Sequence, residues 1–181
     1  MEQTSTATLV GRVSASLSEE LDRIFAEQYQ MVYRTAYGVT GRAEDAEDVV
    51  QTLFLRLVRR GFPSDLMKNP RAYLYRAAVN LSLNTIRQRQ RNVLTEEPER
   101  FETAAPDDAK LLEDLHTHLY AAIAELDSDA AHILVLRYVH EYSDADIAKL
   151  LGTSRGVVAV RLYRLRARLK KLIRALQGES V

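Results

Sequence analysis

The 181-residue chain has no cysteine and no tryptophan, few glycines (7), prolines (4) and histidines (4), and no net charge, its 25 basic side chains being matched by 25 acidic ones. Without cysteine there is neither a disulfide framework nor a thiolate zinc site. No apolar run approaches the roughly 20 residues needed to cross a bilayer, so no membrane insertion is expected. Met1 to Ser18 lacks a basic region followed by an apolar core, so no secretory leader is expected and the chain reads as cytoplasmic. There is no glycine-rich phosphate loop, and no nucleophile–base–acid set can be assembled. His116 and His118 would point to different faces of a helix, and His132 and His140 are not at a ligand spacing, so all four are read as structural or exposed. The expectation is a protein that is not an enzyme and uses no cofactor, metal or small-molecule substrate.

What the chain does have is Leu, Ala, Arg and Glu in abundance, a composition that suits an all-α protein. Its neutrality hides strong segregation of charge. Lys68, Arg71, Arg76, Arg87, Arg89 and Arg91 fall in a stretch without a single acid. Glu96, Glu97, Glu99, Glu102, Asp107, Asp108, Glu113 and Asp114 follow, opposed only by Arg100 and Lys110. From Ser143 to Arg174 there are nine Lys/Arg against two Asp. Two basic blocks flanking an acidic one suggest two nucleic-acid surfaces joined by a connector that does not bind.

Hydrophobic periodicity divides the chain into two small helical domains on a flexible acidic tether. Residues 1–17 read as a mobile tail. The first domain, 18–91, opens with a helix to Tyr37 whose one face carries Leu21, Ile24, Phe25, Gln28, Val32 and Ala36. A second helix has the stripe Ala46, Val49, Val50, Leu53, Phe54 and Leu57 and stops at Gly61 and Pro63. Asn69-Pro70 starts a third, an N-cap followed by proline at the first helical position, expected to run to about Arg91 and to bury Leu74, Ala78 and Leu81. Residues 92–108, charged and broken by proline, read as linker. In the second domain, 109–177, Leu111, Leu112, Leu115, Leu119, Ala122, Ile123 and Leu126 form a new stripe, and Ile133, Leu134, Leu136 and Val139 another after a break at Asp127-Ser128.

The end of the chain has the pattern of a helix-turn-helix. Ser143 and Asp146 form a capping-box pair, Ile147, Ala148 and Leu151 supply a buried side, and Gly152 stops the helix. Ser154 then caps a basic helix whose inward stripe is Val158, Leu162, Leu165 and Leu169. Its opening residues Ser154, Arg155, Val157, Ala159 and Arg161 are placed to meet base edges in a major groove. Arg164, Arg168 and Lys171 suit phosphates. A solvated, arginine-rich surface helix is the plainer reading, but the charge coincides with two caps and a glycine turn, which favours DNA.

The basic third helix carries Arg76, Asn80, Leu83, Arg87 and Arg91 on a side away from Leu74, Ala78 and Leu81, with Tyr73 and Tyr75 near its start. That side suits a duplex edge or unstacked bases, or it is a solvated helix with two core tyrosines. On the helix before it, Asp48, Gln51, Thr52 and Leu55 lie opposite the core stripe, preceded by Glu44 and Asp45. These carboxylates read as a metal or acid–base cluster, as a solvated helix start favoured by the dipole, or as a protein-docking face that uses the exposed Leu55.

Taken together, three segments resemble bacterial RNA polymerase sigma factors of the extracytoplasmic-function group, from Leu21 to Leu176. Asp45-Ala-Glu-Asp48-Val-Val-Gln51-Thr-Leu-Phe54-Leu-Arg is similar to the family's polymerase-docking helix. Asn69-Pro-Arg-Ala-Tyr-Leu-Tyr-Arg76-Ala-Ala-Val-Asn80-Leu, followed by Arg87, is similar to its helix for the minus-ten promoter element. The closing helix-turn-helix resembles its reader of the minus-thirty-five element. The resemblance implies that Asp45, Asp48, Gln51, Thr52 and Leu55 dock on core RNA polymerase. It implies that Tyr73, Arg76, Asn80 and Arg87, with the loop from Phe62 to Asn69, hold promoter DNA as it opens. It implies an anti-sigma factor as a further partner. The family often has tryptophan where Tyr73 stands, Leu-Pro where Leu126-Asp127 stands, arginine where His132 stands, and threonine and lysine where Val157 and Ala159 stand. The alternative is a helix-turn-helix regulator that binds duplex DNA without polymerase.

Overall fold

Glycines end the first two helices, and proline opens the two that follow. In the computed structural model, which describes residues 3–95 and 107–176 (side chains over 19–92 and 115–175), α1 spans Gln3–Thr40 and ends at Gly41. Helix α2, Ala43–Arg60, ends at Gly61, whose N–H donates to the Leu57 carbonyl at 3.0 Å. Pro63 opens a single turn, α3 (Ser64–Lys68), and Asn69 caps α4 (Pro70–Thr95) by accepting the Ala72 N–H at 3.0 Å. The second half contains α5 (Asp107–Ala124), α6 (Ser128–Tyr138), α7 (Asp144–Leu150) and α8 (Arg155–Leu176). All elements among the described residues are helices, as the composition predicts.

Several boundaries differ from the periodicity reading, and α4 and α5 extend into both ends of the stretch 92–108 read as linker, to Thr95 and from Asp107. α1 begins at Gln3, so the segment read as a tail is helical from there: it holds one glycine, Gly11, and no proline. The stretch from Phe62 to Asn69 is not all loop, because Leu66 is fully buried and draws α3 onto α4. The acidic segment 96–106 lies outside the described residues.

Helices α1, α2 and α4 enclose the first core, built from Ile24, Val32, Val50, Leu53, Phe54, Leu57, Leu66, Leu74 and Ala78. Every residue of the α2 stripe is buried. Phe25, expected inside, is instead an exposed edge that packs on the rim of Phe54 at a centroid distance of 4.7 Å. A second core gathers Ile123, Leu126, Ile133, Val135, Ile147, Val158, Leu162 and Leu165. That cluster also takes in Val39 of α1 and Tyr75, Val79, Leu83 and Ile86 of α4. The sequence reading turns Leu83 outward with Arg76 and Asn80 and leaves Leu81 inside. In the structure Leu83 is 1% exposed, and Leu81 is half-buried. Helix α4 has an apolar stripe on each of two sides: 74 and 78 toward α1 and α2, and 75, 79, 83 and 86 toward α5 and α6. Its own domain covers only the first. In the second domain Leu115 and Leu151 are exposed rather than buried. Leu151 sits at the helix end, where the chain turns toward Gly152.

Candidate nucleic-acid interface

The helix-turn-helix is held by local hydrogen bonds. Ser143 Oγ accepts the Asp146 N–H at 3.2 Å while the Ser143 N–H donates to the Asp146 carboxylate at 3.3 Å, closing the capping box. Gly152 adopts φ +63°, the left-handed turn that glycine takes most easily, and the Thr153 N–H returns to the Ala148 carbonyl at 2.9 Å. Ser154 Oγ accepts the Val157 N–H at 3.3 Å and so starts α8. Ile147, Ala148, Val158, Leu162 and Leu165 go inward. What remains is a continuous outward side: Ser154, Arg155, Val157, Ala159, Arg161, Arg164 and Arg168 are all exposed. Of these, Arg168 has an internal commitment. It pairs with Asp127 at 3.3 Å and donates to the Glu125 carbonyl at 2.9 Å. The Asp127 carboxyl is held below the usual carboxylate range, first by the Ala130 N–H it accepts at 2.8 Å and then by Arg168.

The four α4 residues do not form one surface. Tyr73 and Asn80 line a cavity of about 390 Å³ where the end of α2 and the turn through Gly61 and Pro63 meet α4. Arg76 lines a different cavity, of about 590 Å³, between α4 and the second domain. Arg87 is turned onto α5, where it donates to the Ala124 carbonyl at 2.9 Å and the Leu126 carbonyl at 2.6 Å. Asn80 also accepts from Ser128 Oγ at 2.6 Å. Tyr75, read as a candidate exposed aromatic, is buried and donates to the His132 carbonyl at 2.7 Å, its hydroxyl pushed well up by burial.

The smaller cavity brings in Phe62, at the start of the loop read from the sequence, together with Arg56, Arg60 and Asn84, which were not singled out. The signal was the arginine cluster immediately before Gly61. The larger cavity brings Arg71 beside Arg76 and Arg161, and Arg71 donates to the Tyr142 hydroxyl at 3.2 Å.

On α2, Asp48, Gln51 and Leu55 are exposed and Thr52 is half-buried. Asp45 is different, since it forms an ion pair with Arg89 of α4 at 2.5 Å. Glu44 lies 3.8 Å from Arg42. The acids therefore turn to separate arginines, and among the described residues no group of three or more ligating side chains is placed to hold a metal ion.

Comparison with known proteins places these surfaces in a family. Residues 24–92 match the family described as Sigma-70 region 2, and residues 117–169 match Sigma-70, region 4. The "ECF RNA polymerase sigma factor SigL" of Mycobacterium tuberculosis is 31% identical over 161 residues, covering 85% of this chain and 90% of that protein. The "ECF RNA polymerase sigma factor SigW" of Bacillus subtilis is 27% identical over 157 residues, covering 80% and 84%. A solved structure of the sigma factor RpoE in complex with the anti-sigma factor NepR, from Bartonella quintana, matches at 21% identity and TM-score 0.45, covering 88% of this chain and 97% of that one. With α2 and most of α4 inside one match and α7 and most of α8 inside the other, the chain belongs to the extracytoplasmic-function group of the sigma-70 family, the proteins that direct core RNA polymerase to promoters and help open them.

Proposed function

We propose that this chain divides promoter recognition between its two halves. The first turns of α8 enter the major groove of the minus-thirty-five element, with Ser154, Arg155, Val157, Ala159 and Arg161 at base edges and Arg164 and Arg168 at phosphates. The cavity lined by Phe62, Tyr73, Asn80 and Asn84 takes bases of the minus-ten element as they unstack, and Arg56 and Arg60 at its rim neutralise the backbone. Arg76 and Arg87 extend that contact along α4. Residues 18–91 and 109–177 act as the two reading domains, and the acidic stretch 92–108 connects them without binding DNA. Asp48, Gln51, Thr52 and Leu55 of α2, with Asp45 at their edge, dock on core polymerase.

Under this reading the chain holds no catalytic residue and works in the cytoplasm, the polymerase performing all chemistry. An anti-sigma factor is its expected negative partner. Among the described residues no helix is long and apolar enough to cross a membrane. A regulator acting without polymerase needs neither the α2 face nor the base cavity, so that reading is not favoured.

The observation that carries the proposal is the unbroken exposed side at the start of α8. Its test is run-off transcription by core polymerase on a genomic fragment library, with and without the protein. Protein-dependent starts sharing two spaced elements are expected, and a library without any such start defeats the reading. Asp48→Arg is expected to abolish retention on immobilised core polymerase while leaving the thermal melt unchanged. Undiminished retention removes the docking site from α2.

A further inference from the structure

The larger cavity gathers positive charge that the surrounding carboxylates do not answer. Its volume is about 590 Å³, and it lies where the start of α4 meets α6, the end of α7 and Arg161 of α8. Arg71, Arg76 and Arg161 reach its wall, against one acid, Asp129. Among the described residues none of these three arginines forms an ion pair. Arg71 donates to the neutral Tyr142 hydroxyl at 3.2 Å. Three cations around one space repel one another, and Asp129 offsets at most one of them. The histidines of the wall register this field. Burial is the first cause that lowers both, and the charges of Arg34 and Arg71 at His140, and of Arg76 at His132, add to it. The acidic stretch that follows Thr95 leaves from the other end of α4, about 28 Å along the helix from Arg76 at 1.5 Å per residue. The answering charge therefore comes from outside the chain.

The rest of the wall is built for more than an inorganic ion. Tyr75 lies between His132 and His140, and His140 meets Tyr142, with ring centroids 5.6, 5.8 and 6.4 Å apart. Met31 and Leu136 add apolar surface, and so do Leu150 and Leu151 at the end of α7, which are 51% and 40% exposed. His132 Nε2 is buried without a hydrogen-bond partner, the kind of atom that a ligand group or an ordered water completes.

We infer that this cavity is a binding site for a nucleoside phosphate. Its polyanionic end meets Arg71, Arg76 and Arg161, and its flat ring lies against the tyrosines and leucines of the wall. The volume falls within the range of small-molecule sites, about 300–1,000 Å³. Arginine suits phosphate because its planar fork donates two parallel hydrogen bonds. Three arginines exceed what a single carboxylate can use. Asp129 accepts from an amino group, which a base carries and a plain aromatic acid lacks. The site does not depend on whether α4 and α8 read DNA.

Titration calorimetry on the full chain tests it with ADP, GDP, CDP and UDP, and with inorganic pyrophosphate and the four nucleosides as their separate halves. At least one diphosphate is expected to bind about tenfold more tightly than pyrophosphate or its own nucleoside. Arg71→Gln is expected to weaken that nucleotide about tenfold, the scale of one charged hydrogen bond. Arg174→Gln, at an exposed arginine of α8 that does not line the cavity, is expected to leave it unchanged. Leu150→Glu sets a carboxylate at an exposed position on the rim without removing an arginine, and is expected to weaken binding by a similar factor. Four results each overturn the site. Equal affinity for nucleotide and pyrophosphate removes the ring from it, and equal affinity for nucleotide and nucleoside removes the phosphate. Equal losses in the Arg71 and Arg174 variants mean diffuse attraction to a basic surface. Absence of binding by all four diphosphates at millimolar concentration means that the arginines meet only as parts of the surfaces proposed for DNA. Transcription plays no part in these readouts, so failure of the run-off test leaves them standing.

Discussion

The two surfaces proposed to read DNA are built from similar residues and left in opposite states. On α8 one side is core and the other is solvent, so Arg155, Arg161 and Arg164 stand ready for a groove. On α4 a second apolar stripe lies beside the first, and the polar residues along it find partners in the next domain. A helix with one apolar stripe can finish folding inside its domain and still present a free face. One with two stripes must recruit a further layer, and whatever it would otherwise bind has to compete with that layer.

The widest separation between the two stripes of α4 is expected from truncating one leucine on each. Leu74 and Leu83 are equally buried, but in different cores. Leu74→Ala should cost the first domain about 2–5 kcal/mol, with hydrogen exchange accelerated at the α2 amides. Leu83→Ala removes a similar contact from between the domains. In the cysteine-free chain labelled at Arg59→Cys and Tyr163→Cys, it should lower energy transfer between the two domains while leaving α2 exchange near wild type. If both variants expose α2 alike, α4 has a single core and the contrast with α8 disappears.

A smaller effect sharpens the α8 side. In complex with polymerase, Arg161→Ala should cost about 1–3 kcal/mol at one base position and relax sequence choice there. Arg164→Ala should weaken all promoters alike and reduce the salt slope of binding by about one. Competition binding with single-base promoter variants, repeated across salt concentrations, separates the two. Uniform weakening by Arg161→Ala would place that arginine on phosphate and shift the register of α8 in the groove.

How much of this was legible before the structure follows the same division. The α2 stripe and the inward side of α8 could be read because each helix packs along one side within its own domain, and period alone identifies that side. The caps at Asn69, Ser143 and Ser154 were legible because their partners lie three residues away. Leu83 and Tyr75 were not. Their neighbours come from α5 and α6, and periodicity marks a side as apolar without saying what covers it. The packing of Arg87 on α5 could not be read either, because its partners are main-chain carbonyls, which leave no trace in side-chain identity. The base cavity escaped for a related reason, being made by the turn through Gly61 and Pro63, which brings Arg56 and Arg60 up to α4.

The finest distinction between the two surfaces is in their response to acid. The α4 side meets two histidines of the second domain. His140 lies against the edge of Tyr75 at 5.8 Å and on Thr35 of α1, and His132 lies 5.6 Å from the same ring. Both imidazoles are held below the usual histidine range, chiefly by burial. The cations Arg34 of α1 and Arg71 of α4 push His140 further down. For His132, main-chain hydrogen bonding at Arg76 of α4 and at Ser128, and the charge of Asp129 of α6, oppose the burial, while the Arg76 charge adds to it. A base whose pKa falls on packing binds fewer protons packed than free. The contribution to closure is therefore complete above the free value of about 6.5 and is lost as pH falls through the packed values. The start of α8 has no histidine, so nothing comparable acts there. Transfer in the labelled protein should stay level above about pH 6.5 and decline toward pH 5. His140→Gln, which keeps a hydrogen-bonding group beside Thr35, should flatten that decline. A decline that survives this change assigns the titration to His132, and a level response down to pH 5 means that the domains part without either imidazole taking up a proton.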